Sequence, residues 1–163
     1  MCGVYGIFRT DGLLDQADVC RLAKLAEARG VDSAGIIYQS SSDISIIKRD
    51  FGSVELIKKN PDYQKSKFIA GHSRLVTNDV LSNQPVIKDD LLVFHNGIIT
   101  NYKKIWGSIG QLPKTKLDSE IIPVLFRLFK DDGLSDDTAV DEIFRICEGV
   151  ISAILIEPSS LAL

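Results

Sequence analysis

Apolar residues fall in short runs along this chain, and the spacing inside the runs alternates between two periods. Val4, Tyr5, Ile7 and Phe8, separated by small glycines, predict a strand over residues 3–9, ended by the turn pair Asp11-Gly12. From residue 15 to 29 the period becomes helical, with Val19, Leu22, Leu25 and Ala26 on one face and Gly30 as the stop. Two β-rich stretches, 34–38 and 44–48, flank the polar run Gln39-Ser40-Ser41-Ser42-Asp43, which predicts a hairpin. A short helix follows over 53–60, closed by Asn60-Pro61. Residues 68–74 and 91–94 read as strands with a long polar loop between them. Asp118 is placed to cap a helix running to Asp132, with Pro123 near its start, and Asp136 or Asp137 to cap another running to Cys147. Val150 to Ile156 is a last apolar run, read as a buried strand. The pattern is that of a mixed α and β domain with segregated strands and helices.

The bulk numbers narrow the classes. At 163 residues the chain is long enough for one domain with a proper core and short for two. A hydrophobic share of 45% with 25% charged residues excludes a disordered chain. The net charge of −3 is interspersed, with no basic tract, which argues against nucleic acid as a partner. No apolar run approaches the roughly 18 residues of a membrane span, and no signal peptide is visible. The three cysteines form no CxxC and have no His at metal spacing. The reading is a cytoplasmic, reduced protein with no metal, no cofactor and no membrane partner.

The chemistry starts at the second residue. Cys is small enough for the initiator Met1 to be trimmed, which leaves Cys2 with a thiol and a free α-amine on one residue. The amine titrates near about 7.7–8.0 and the thiol near about 8.5, so at neutral pH the amine can take the thiol proton. Nucleophile and base are then supplied together.

Three further segments combine turn glycines with polar residues suited to a small zwitterion. They are Arg29-Gly30-Val31-Asp32-Ser33-Ala34-Gly35, Gly71-His72-Ser73-Arg74-Leu75-Val76-Thr77-Asn78 and His95-Asn96-Gly97-Ile98-Ile99-Thr100-Asn101. With Met1-Cys2-Gly3-Val4-Tyr5-Gly6, their order and spacing resemble the class II glutamine amidotransferase domain of the N-terminal-nucleophile hydrolases. The likeness runs from residue 1 to about residue 156, and is strongest to the glutaminase domain of isomerising glucosamine-6-phosphate synthases. The resemblance implies a four-layer αββα sandwich (α+β class) spanning residues 1–163, without the synthase domain and truncated at its C-terminal strands. An exposed sheet edge is accordingly expected near residues 150–156.

What the resemblance implies about roles can be set beside the residue types. Cys2 would attack the glutamine amide, with Asn96 (side-chain amide) and Gly97 (backbone N–H) as the oxyanion pair; alone, Asn96-Gly97 also reads as a tight hairpin turn. Gly97 has no Cβ to obstruct the substrate. Arg74 matches the fork that grips the α-carboxylate, and Thr77 a neighbour at the same end. Asp118 matches the acceptor of the α-ammonium, although a plain helix cap would look the same. Arg29 matches a buried brace for the N-terminal residue; a cation at a helix C-terminus is the bland alternative. His72 and His95 read as structural hydrogen-bonding residues, Cys20 and Cys147 as core thiols. Leu75, Asn78 and Asp79 depart from the synthase pattern, and Asn83-Gln84-Pro85-Val86 is as similar to phosphoribosylpyrophosphate amidotransferases. The expected function is glutamine hydrolysis feeding amination of a sugar phosphate. Phosphoribosylpyrophosphate or asparagine synthetase-type acceptors, and a non-catalytic glutamine-binding relative, are the alternatives. L-glutamine, an acceptor domain and a second copy of the chain are the candidate partners.

Overall fold

In the computed structural model, which describes residues 2–40, 43–75 and 83–158, the chain builds two antiparallel sheets. The first contains β1 (Gly3–Phe8), β2 (Ser33–Ser40), β3 (Asp43–Arg49) and β4 (Phe68–Arg74), in the order β1-β4-β2-β3. The second contains β5 (Val86–Lys88), β6 (Leu91–Ile99) and β7 (Gly149–Ile156), with β6 in the middle. Helices α1 (Gln16–Glu27) and α2 (Ser53–Lys59) cover the first sheet; α4 (Ile121–Asp131) and α5 (Asp136–Ile146) cover the second, with α3 (Tyr102–Ile109) beside them. The layers run α, β, β, α, as the resemblance implied.

Alternation along the strands fills three cores. In β4, Ile69 turns to α1 and α2, while Phe68 and Ala70 turn to the other sheet. In β6, Leu92 and Phe94 face the first sheet, and Leu91, Val93 and Ile99 face Trp106, Ile121 and Leu125. Buried apolar side chains of this kind stabilise by about 1.5–3 kcal/mol each, which fixes the register of both strands.

Several expectations shift. Asp15 caps α1 as a side-chain acceptor for the Ala17 and Asp18 N–H groups, but the buried face is Val19, Ala23 and Ala26, and Leu25 is exposed. Gly30 serves close packing: a Cβ there would lie 2.1 Å from the Leu75 nitrogen. Asp118 opens a 3-10 turn (Asp118–Glu120) that leads into α4, so Pro123 falls in the first turn of α4, where its missing N–H costs nothing. The run 150–156 is an outer strand, and only Ile156 is buried; the expected open edge is present, the expected burial is not.

Candidate active site

Four of the predicted residues, Cys2, Arg74, Asn96 and Gly97, converge at one end of the space between the sheets. Gly3 of β1 pairs with Ser73 of β4, so the next positions outward, Cys2 and Arg74, are neighbours in the same register. Asn96 shares the parity of Leu92 and Phe94 in β6 and therefore faces them from the second sheet. The Cys2 backbone nitrogen donates to Asn96 Oδ1 at 3.3 Å, a bond that crosses from one sheet to the other. With Oδ1 so used, the Asn96 side-chain NH2 is left as a donor. The Cys2 thiol is half-buried beside it. Arg74 is 8% exposed, and its buried Nη1 has no hydrogen-bond partner among the described residues. A buried guanidinium with an unused donor is a strong demand for an anion.

Asn96 and Gly97 form no turn. They lie inside β6, opposite Ser152 and Ile151 of β7. Thr100, just past the strand, donates its N–H to Glu148 of the β7 side, so even-numbered N–H groups face β7 and odd-numbered ones face the opposite edge. The His95 N–H is taken there by Gln84 Oε1 at 2.6 Å, and the Ile99 N–H by Asp118 Oδ2 at 2.7 Å. By the same alternation Gly97 points its N–H to that edge, between those two closed positions. The glycine itself is demanded from behind: a Cβ at Gly97 would lie 1.9 Å from the Val150 oxygen and 2.7 Å from His95 Nε2. Packing against β7 therefore requires glycine here, and it is the Val150 oxygen, not a substrate, that a Cβ would meet.

Asp118 is half-buried and accepts from two backbone N–H groups, Ile99 and its neighbour Ser119 at 2.9 Å. The expected helix cap is therefore not formed: Glu120, not Asp118, stands at the N-terminus of α4, and the Asp118 carboxylate is used to hold the end of β6 instead. Arg29 is exposed, not buried: α1 ends at Glu27, and the terminal turn places Gly30, rather than Arg29, against β4. Thr77, with Asn78 and Asp79, lies outside the described residues.

The two histidines differ. His95 makes the expected structural bonds, donating from Nε2 to the Val150 oxygen at 3.4 Å and accepting at Nδ1 from Ser119 Oγ at 2.9 Å. Burial pushes its pKa below the ordinary value against the pull of the Asp118 carboxylate. Among the described residues neither buried ring nitrogen of His72 has a partner, and the ring stacks on Phe94 at 6.3 Å. Burial, then the charge of Arg74, drives its pKa down to about 3, so it is a neutral aromatic filler.

Sequence reasoning missed three supports. Asn101 clamps the end of β6, donating to the Ile146 oxygen and accepting from the Glu148 N–H, both at 2.9 Å. Glu120, fully buried, accepts from the N–H groups of Lys114 and Thr115 and holds that loop against the turn that carries Asp118. Gln84 is the third. A Glu interrupting the apolar positions around Ile121 was the available signal for the second. Among the described residues no cluster of His, Cys, Asp or Glu could hold a metal, and no helix is long and apolar enough to cross a membrane.

Cys2 at the start of β1 and the Asn96-Gly97 pair in β6 meet across two stacked sheets, and in sequence and fold the chain is similar to the class II glutamine amidotransferases. No protein-family model matches the chain. It is 30% identical over 161 residues to the isomerising glutamine–fructose-6-phosphate aminotransferase of Sulfurisphaera tokodaii, covering 91% of this chain and 27% of that protein. The Shouchella clausii enzyme of the same name is 29% identical over 167 residues, covering 96% and 27%. The chain thus spans about a quarter of the length of the curated relatives it matches. In fold it is similar to the glutamine phosphoribosylpyrophosphate amidotransferase of B. subtilis, with a TM-score of 0.70 at 20% identity, covering 96% of this chain and 35% of the other. A structure described as the allosteric regulatory enzyme of purine biosynthesis matches with a TM-score of 0.71 at 19% identity, over 95% and 35%.

Proposed function

We propose that this domain carries out the glutaminase half-reaction. The Cys2 α-amine, freed by removal of Met1, takes the thiol proton, and the thiolate attacks the glutamine side-chain carbonyl. The oxyanion rests on the Asn96 NH2 and Gly97 N–H; the amine passes its proton to the departing nitrogen, and ammonia leaves from a γ-glutamyl thioester. Water, deprotonated by the same amine, then releases glutamate and restores the thiol. Arg74 binds the substrate α-carboxylate, with Thr77 at the same end, and Asp118 accepts from the α-ammonium. The chain is one cytoplasmic glutaminase domain whose ammonia serves a separate acceptor domain, and the curated relatives favour a sugar phosphate as the acceptor.

The Cys2–Asn96 bond across the sheets, beside a buried Arg74 whose Nη1 has no partner among the described residues, carries this reading. The test is glutamine-dependent ammonia release by protein with Met1 removed, by protein with Met1 retained, and by Cys2→Ala. Activity confined to the first is expected, since with Met1 attached the Cys2 nitrogen is an amide without a basic lone pair. Turnover by Cys2→Ala, or active protein whose intact mass still includes Met1, would overturn it.

A further inference from the structure

Gln84 sits just before β5 and is 5% exposed. Its Oε1 accepts from the His95 N–H at 2.6 Å, and its Nε2 donates to the His95 oxygen at 2.9 Å. One side-chain amide thus takes both backbone groups of a β6 residue, as a neighbouring strand would. No strand does so there: the β5 ladder pairs Lys88 to Leu91, Ile87 to Leu92 and Val86 to Val93, and stops. The next residue toward Gln84 is Pro85, which has no N–H to continue it.

The other side of Gln84 is held by the first sheet. Its backbone oxygen lies where a Cβ on Gly35 of β2 would be, 1.8 Å away, so that glycine admits it. Its neighbour Asn83 donates from Nδ2 to the Ala34 and Arg49 oxygens at 3.0 and 3.1 Å, and its own N–H is held by Asn83 Oδ1 at 2.8 Å. The Asn83-Gln84 pair therefore ties β2 and β3 to His95. Cys2 and Arg74 stand on the first sheet, Asn96 and Gly97 on the second.

We propose that Gln84 is a positioning residue for the oxyanion donors: it closes the β6 edge at His95, leaves the next N–H on that edge, Gly97, for the oxyanion, and sets the spacing between the sheets that carry nucleophile and oxyanion hole. This rests on the glutaminase reading above. Gln84→Met keeps the length and apolar volume but strands both His95 groups. Gln84→Glu keeps an acceptor for the N–H and sets a carboxylate oxygen against the carbonyl; protonation of that carboxyl, favoured by burial, restores a donor.

The experiment measures glutaminase kcat and KM from pH 6 to 8, together with hydrogen exchange at the His95 amide. In Gln84→Met, kcat falls on the order of ten-fold with KM within about two-fold, and His95 exchanges at least ten-fold faster. In Gln84→Glu, activity relative to wild type rises as the pH is lowered. A role in stability alone would lower Tm and leave kcat per folded molecule, and the pH dependence of the ratio, unchanged; that result overturns the proposal. Unchanged His95 exchange overturns it too, whether or not the protein hydrolyses glutamine. If wild type releases no ammonia, the glutaminase reading fails by itself and Gln84 has no oxyanion to position. Should Gln84→Met fail to fold, Gln84→Glu supplies both readouts.

Discussion

Asn96 holds two groups with one side chain, and two substitutions can separate them. Its Oδ1 accepts from the Cys2 nitrogen at 3.3 Å, and its NH2 is the side-chain donor of the proposed oxyanion pair. Asn96→Ala removes both functions. Asn96→Asp is nearly isosteric and keeps the acceptor for the nitrogen, but turns the donor into a second acceptor facing a developing negative charge. Removal of one oxyanion donor lowers kcat by about 10²–10³, or roughly 3–4 kcal/mol of transition-state stabilisation. Asn96→Ala is therefore expected to lose that much in kcat with a small change in KM. Asn96→Asp should lose at least as much, and its residual activity should move to higher pH, because a carboxylate beside the α-ammonium favours the charged amine. The assay is steady-state ammonia release across pH 6–9, with thermal unfolding to confirm that both variants are folded. If Asn96→Ala changed only KM, or Asn96→Asp retained wild-type kcat, the oxyanion assignment would be wrong.

Four other outcomes are expected. Arg74→Lys should raise the glutamine KM by ten-fold or more despite conserved charge, since the fork that meets a carboxylate with two parallel bonds is lost; an unchanged KM would remove Arg74 from the carboxylate site. Asp118→Asn should weaken glutamine binding and also lower stability by about 1 kcal/mol, because one amide oxygen replaces two carboxylate oxygens now accepting from Ile99 and Ser119; KM and urea unfolding read the two effects. Gly97→Ala should destabilise the fold by about 3 kcal/mol, because its methyl would lie 1.9 Å from the Val150 oxygen, and β7 must move; a Tm within one degree of wild type would refute this. The depressed His72 pKa contributes stability that is present above about 6.5 and is lost as pH falls toward about 3, since the unfolded chain takes up the proton first. His72→Phe should flatten the fall in Tm between pH 7 and pH 4, leaving the share due to His95.

The strands and helices legible in the sequence were those whose apolar runs are bounded by polar or turn residues. Residues 68–74 match β4 because both faces are buried and the ends are marked by polar residues. The helix α3 was missed although Tyr102, Ile105, Trp106 and Ile109 repeat at helical spacing, because Gly107 and Gly110 interrupt it and Asn101 offers no cap: its side chain is committed to Ile146 and Glu148. The second half of β6 was missed because His95-Asn96-Gly97 has the composition of a turn, and only β7, more than fifty residues later, makes it a strand. Within the site, the candidate nucleophile came from the chemistry of Cys2 and the candidate oxyanion pair from the resemblance, since Asn96-Gly97 alone reads as a turn. The double use of Asp118 and the reach of Gln84 depend on which backbone groups a strand leaves unpaired, and no local pattern encodes that.

The adjacency of Asn96 and Gly97 follows from how a strand distributes its groups. Side chains alternate between the faces of a sheet, and N–H groups alternate between its edges. Consecutive residues can therefore present one donor through a side chain toward the facing sheet and the next through the main chain toward an open edge. In β6 the first alternation is set by Leu92 and Phe94, buried between the sheets, and the second by β7, which takes the even-numbered positions. A slip of one residue would turn Asn96 toward the helices, put His95 into the space beside Cys2, and hand the Gly97 N–H to β7. The core that fixes this register lies up to four residues from the candidate site, between Leu92 and Asn96, which ties the proposed oxyanion donors to the packing of an apolar face.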